Sequence, residues 1–389
     1  MTSSVPPLIA YPVILLAIVV ILARLSLPNT SISARRITAA LVLCVVCCLL
    51  RETGVHEVVT DATGGSIDTP LMQQLSSIAL MLVVVPLLLV TISWFPGHQR
   101  PGRGVAAVLY SLGSLSGVLM IALGTHARSL NTYIDRTPGW ETLGYFTLFG
   151  IWSTTLGVVT LAASIGELKR GNLPTRHVLT LMLVLVLGGW IMKESLSISI
   201  CAVLAASGTG KSFVDFQIQA NENNTIYLVL IGSVCGALLP LQRLAERHGV
   251  DTWTRAHRRL LPMWGDLTDA CPEVRLNRVD DSDPNLTPRH RAHRMSIEMR
   301  DAMVILTRYA PCTDHPTIGD ATLAAAVAVA GAAARKRAGA RPQVGVASTL
   351  VAGRDLRGEL RSLSRLAKVW PQARAAVGQD MHRYVDSPV

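Results

Sequence analysis

Lys193 and Glu194 interrupt a run that is otherwise apolar from Val178 to about Leu204. Ionisable groups within such a run are costly in lipid; where they persist, they pair across helices or line a path for ions and solutes. At 1.5 Å per residue, Lys193 lies about 23 Å from the start of the run. Adjacent helical residues point about 100° apart, so one side chain can face a neighbouring helix while the other snorkels outward. Two readings stay open. Either the span ends here and both residues meet water, or they form a polar site inside a helical bundle.

Other spacings invite chemistry less well. Ala205 to Ser212 reads Ala-Ala-Ser-Gly-Thr-Gly-Lys-Ser, which resembles a phosphate-binding loop with Ala at the first Gly. Such a loop needs a strand before it and a helix after it. Here an apolar run precedes it and the polar stretch Gln217 to Asn224 follows, so a glycine-serine loop is expected. Cys44, Cys47 and Cys48 lie in an apolar run with no His or carboxylate near in sequence, where Cys behaves as a small hydrophobe. His290 and His293, with Asp280, Asp281 and Asp283, read as a solvated loop beside a basic helix. The cluster Arg289 to Arg294 has the sign to meet anionic lipid or nucleic acid, yet it suits a solvated helix face as well. No nucleic acid, metal or cofactor is expected. No catalytic residue is assigned, and the chain does not read as an enzyme.

These residues must be positioned by a membrane-embedded scaffold. Half the residues are apolar and only 16% are charged, against about 25% in soluble domains. Residues 1–241 carry 13 Lys/Arg and 10 Asp/Glu, whereas 242–389 carry 23 and 16. A boundary near Leu241 follows. Before it lie apolar runs at about 7–23, 37–55, 75–95, 105–124, 143–165, 178–200 and 225–241. Each approaches the roughly 20 helical residues that cross a bilayer. Arg51 lies inside the second and is expected to snorkel to the headgroups. The fold class is all-α: a polytopic transmembrane helical bundle of about seven spans, then a small helical cytoplasmic domain over 242–389.

Orientation comes from the short connections. Segments 24–36, 96–104 and 166–177 hold eight basic residues, and the opposite set, 51–74, 125–142 and 201–224, holds four. The basic side is cytoplasmic. The N-terminus is therefore expected outside the cell membrane and the C-terminus in the cytoplasm. Gly113, Ser114, Ser116 and Gly117 form a small-residue face suited to close helix packing. In the C-terminal part, helices are expected at 251–270, 292–309, 321–334 and 354–369. The third is too short and alanine-rich to be an eighth span.

Two stretches carry a resemblance. Leu261-Pro262-Met263-Trp264, continuing to Ala270 and Pro272, resembles the leucine-proline-x-tryptophan…alanine-x-proline signature of an actinobacterial membrane family. Arg294 to Asp301, with Glu298, Arg300 and Asp301, resembles the same family's charged helix, and Asp355 to Ala367 its closing helix. Met263 stands where leucine is usual, and the alanine-rich helix lacks an expected glutamate. The resemblance implies seven spans followed by a cytoplasmic domain of unknown function, in proteins loosely described as transporters. It assigns no catalytic or binding residue. Pro262 suits the first turn of a helix, where its missing N–H costs nothing. Trp264 is expected against the helix holding Glu298, Arg300 and Asp301, in a role that is structural.

Two functions fit this reading. One is a membrane-tethered sensor or scaffold whose domain 242–389 recruits a cytoplasmic protein partner. The other is a small-solute transporter or channel using Lys193 and Glu194. Few polar residues line the spans, which favours the first, because transporters build sites from broken helices and several intramembrane polar groups.

Overall fold

The computed structural model describes residues 5–28, 30–94, 101–171, 173, 175–276, 287–309, 320–342 and 356–385. Every regular element among them is helical. In order they are α1 (Pro7–Leu25), α2 (Ile32–Leu49), α3 (Thr53–Ala62), α4 (Thr69–Ile92), α5 (Arg103–Leu123), α6 (Thr125–Ser129), α7 (Trp140–Lys169), α8 (Thr175–Ala206), α9 (Lys211–Arg247), α10 (Thr252–Ala270), α11 (Pro288–Leu306), α12 (Ala321–Arg337) and α13 (Leu356–Val385), with short 3₁₀ turns between some of them. The chain packs as two units, Met1–Leu241 and Gln242–Val389.

In the first unit, α1, α2, α4, α5, α7, α8 and α9 are long and apolar enough to cross a bilayer. Their outward faces are apolar too: Leu15, Leu22, Leu115, Val118, Leu183, Val186 and Leu238 are all exposed. Apolar surface on this scale is not left in water. Lipid is the solvent these faces require.

Small residues set the helix contacts. Gly113 and Gly117 of α5 are buried, and a Cβ on Gly117 would come within 2.9 Å of the Ile78 side chain on α4. A Cβ on Gly157 of α7 would meet Met192 Sδ of α8 at 2.7 Å. Such faces allow the close approach that drives helix association in lipid, where the hydrophobic effect no longer distinguishes partner from solvent. Buried Arg24 ties three helices together, donating to Thr38 Oγ1 (2.9 Å), Ala34 O (2.8 Å) and Gly236 O (2.8 Å).

Three expectations change. The second span, read as 37–55, is α2, which starts at Ile32 because the Ser31 side chain accepts the Ala34 N–H. It ends at Leu49, so Arg51 lies beyond it. There Arg51 donates to Ser76 and Thr225, both at 2.7 Å, instead of reaching for headgroups. The stretch Gln217 to Asn224, read as part of a connection, belongs to α9. There Gln217 and Asn224 donate to Glu194 of α8 and Gln217 also to Asn221, which offsets the cost of polar side chains in this helix.

The second unit has its own core. Leu260, Met263 and Leu267 of α10 meet Met295, Met299 and Leu306 of α11, Ala326, Ala330 and Ala333 of α12, and Leu363 and Trp370 of α13. Pro262, expected in a first turn, lies well inside α10, whose start is capped by the Asp251 carboxylate at Trp253 N and Thr254 N. A mid-helix proline costs about 3 kcal/mol. The buried face on either side, Leu260, Met263 and Leu267, offsets that cost. The alanines of α12 supply the short side chains that let α13 approach.

Candidate functional site

One end of the bundle gathers polar groups from segments far apart in sequence. A cavity of about 90 Å³ is lined by Arg51, Gln73, Ser77, Asp135, Gln217 and Asn221, with Phe146, Ile198 and Val214 among its apolar walls. Arg51 follows α2. Gln73 and Ser77 lie in the first turns of α4, and Asp135 sits in a 3₁₀ turn between α6 and α7. Gln217 and Asn221 face the cavity from the first turns of α9, one helical turn apart.

Asp135 is the more buried of the two charged groups in this lining, at 9% exposure. Its Oδ2 accepts the Gln73 amide at 3.3 Å, and its Oδ1 accepts from no other described residue. The Gln73 Oε1 atom is likewise buried without a described donor. Burial pushes the Asp135 carboxyl above the usual aspartate range, against smaller lowering effects that include Arg136 and the Gln73 hydrogen bond. Buried oxygens of this kind are rarely left unpaired in folded proteins.

Lys193 and Glu194 adjoin this region. Both lie within α8, which continues to Ala206. Lys193 is 61% exposed along its side chain and reaches Glu194 Oε1 at 2.8 Å. Glu194 turns inward and accepts from Trp190 (3.2 Å), Gln217 (3.0 Å) and Asn224 (3.1 Å). Gln217 thus belongs both to the cavity wall and to the Glu194 cluster. The loop at Ser207 to Gly210 is a tight turn, with Gly208 and Gly210 at positive φ. Three of its N–H groups are satisfied locally: Ser207 donates to Val203 O, Gly208 to Ala205 O and Thr209 to Leu204 O.

In the second unit, Trp264 donates its indole N–H to Glu298 Oε2 at 2.7 Å. The other Glu298 oxygen accepts from Arg294 Nε (3.0 Å) and Leu276 N (3.1 Å), and Glu298 is 1% exposed. The Arg275 guanidinium stacks over the Trp264 ring. This carboxylate is a fully hydrogen-bonded internal clamp. Arg300 and Asp301 are exposed and take no part in it. Pro272 opens the 3₁₀ turn Pro272–Val274 that follows α10. A second clamp centres on Asp266, which accepts from Trp370 Nε1 (2.8 Å) and pairs with Arg374 (3.2 Å).

Asp280, Asp281 and Asp283 lie outside the described residues, among which no three His, Cys, Asp or Glu side chains come together as metal ligands. Cys47 and Cys48 are buried in the α2 packing. Sequence spacing did not single out Gln73, Asp135, Gln217, Asn221 or Asp266. The nearest available signal was the polar repeat Gln217, Asn221, Asn224 at helical spacing.

The bundle and its appended helices define a multi-pass, all-α membrane protein. Residues 250–373 match the model of a family of unknown function (DUF6545), a stretch within the second unit that includes Trp264, Glu298, Asp266 and Trp370. No curated protein and no solved structure matches the chain.

Proposed function

We propose that the protein is a membrane-tethered sensor or scaffold of the cell membrane, with no catalytic chemistry of its own, whose helical unit recruits a cytoplasmic protein partner. The observation that carries this reading is α9. It places Gln217 and Asn221 in the wall of a cavity that also holds Arg51 and Asp135, in a unit separate from the helical one. The charge bias of the short connections supports a cytoplasmic C-terminus.

The test is site-specific photocrosslinking in native cells from exposed positions of the second unit, such as Arg300 and Asp301. The expected result is a discrete adduct whose abundance changes in Asp135→Asn. Absence of an adduct from every exposed position tried would remove the reading.

One observation favours a transporter as the second reading. Glu194 is an intramembrane carboxylate held by movable amide donors rather than by main chain. Solute accumulation in proteoliposomes that is lost in both Lys193→Ala and Glu194→Ala would support it.

A further inference from the structure

We infer that the cavity at this end of the bundle binds a small zwitterionic solute, carrying an ammonium and a carboxylate on a short frame. Asp135 Oδ1 and Gln73 Oε1 are two buried acceptors that line one cavity and have no described donor. They call for N–H groups on a ligand. Arg51, fixed through Nε and Nη1 on Ser76 and Thr225, lines the same cavity with the opposite charge. A simple amine would face that guanidinium, and a simple carboxylate would face Asp135. A molecule bearing both charges is complementary to both.

Size and lining agree. The cavity's 90 Å³ is several times the roughly 10–15 Å³ that one water needs, which suits a solute the size of a small amino acid. Phe146, Ile198 and Val214 provide an apolar wall for its frame, and Asn221 adds an amide at the rim. The inference rests on the sensor reading only for what binding would report; the binding itself does not depend on it.

Calorimetric titration of the full-length chain in nanodiscs tests it, with glycine, alanine and β-alanine as probes and ethylamine and acetate as single-charge controls. At least one zwitterion is expected to bind saturably, and each control about tenfold or more weakly. Asp135→Asn and Arg51→Gln are each expected to weaken the zwitterion by a similar factor. Because Arg51→Gln removes the Ser76 and Thr225 contacts and could fold poorly, Asn221→Ala serves as a milder third, with a smaller loss in the same direction. No saturable binding of any zwitterion to folded wild-type protein overturns the inference, as does equal binding of ethylamine or acetate. Binding without any effect on the crosslinked adduct would sink the sensor reading and leave this one standing. An adduct without binding would do the reverse.

Discussion

Gln217 on α9 donates its side-chain amide to Glu194 on α8 across 3.0 Å, and the same side chain forms part of the cavity wall. The pair fastens the cavity wall to the Glu194 carboxylate of α8. It also explains why a polar stretch read as a connection is helix. In lipid, each polar side chain needs a protein partner, and helical spacing supplies several at once.

Removing that carboxylate should therefore cost more than removing its exposed neighbour. Glu194→Ala removes the acceptor of Trp190 and Asn224 and one of the two acceptors of Gln217, and a loss of about 1–2 kcal/mol is expected on the scale of helix–helix hydrogen bonds in lipid. Lys193→Ala should change stability far less. Thermal unfolding of both variants in the same detergent checks this, and equal effects would show that Glu194 is not an internal anchor.

Helix contacts in the bundle make a second prediction. Gly117→Val forces a branched side chain against Ile78 and should destabilise by about 1–3 kcal/mol. Gly189 has open space around its Cβ position, so Gly189→Ala should be neutral or stabilising by up to about 1 kcal/mol. Unfolding midpoints of the two variants decide the matter.

In the second unit, Trp264→Phe keeps most of the ring but takes one donor from the buried Glu298 carboxylate. The expected loss is about 1–3 kcal/mol. Arg300→Ala, on an exposed side chain of the same signature, should stay within about 0.5 kcal/mol of wild type. Unchanged stability in Trp264→Phe would mean that the Trp264–Glu298 bond does not hold the unit.

Asp135 predicts a pH dependence with a definite sign. Burial raises its carboxyl in the folded state. The folded chain therefore holds this proton more tightly than the unfolded chain does. The stabilisation is complete below the unfolded aspartate value and is lost as pH rises through the higher folded one. Wild-type melting temperature should fall relative to Asp135→Asn across that window, leaving the variant more stable at neutral pH. A gap between the two that is constant with pH would contradict the assignment.

The spans were legible because long uncharged runs leave few alternatives to lipid. The α12 run was legible as a helix because Ala321 to Ala334 is made largely of alanine, the strongest helix former. Helix ends were less so: Ser31 capping and the reach of Arg51 to Thr225 depend on side-chain contacts, some of them across the fold. The Trp264 signature was visible as a motif, but the place of Pro262 in the middle of α10 was not, since apolar residues on both sides override its local preference. The cavity could not be read at all. Arg51, Asp135 and Gln217 come from three segments that each look like an ordinary connection, and only packing brings them together.

At the centre of the proposal is a topology in which Thr209 meets the outside and Arg300 the cytoplasm. Single cysteines placed at Thr209 and at Arg300 in a cysteine-free background, probed with a membrane-impermeant maleimide, test it most directly. The account predicts labelling of Thr209→Cys in intact cells and of Arg300→Cys only after lysis. Labelling of both positions from the same side, or recovery of the folded chain in the soluble fraction without detergent, would contradict it.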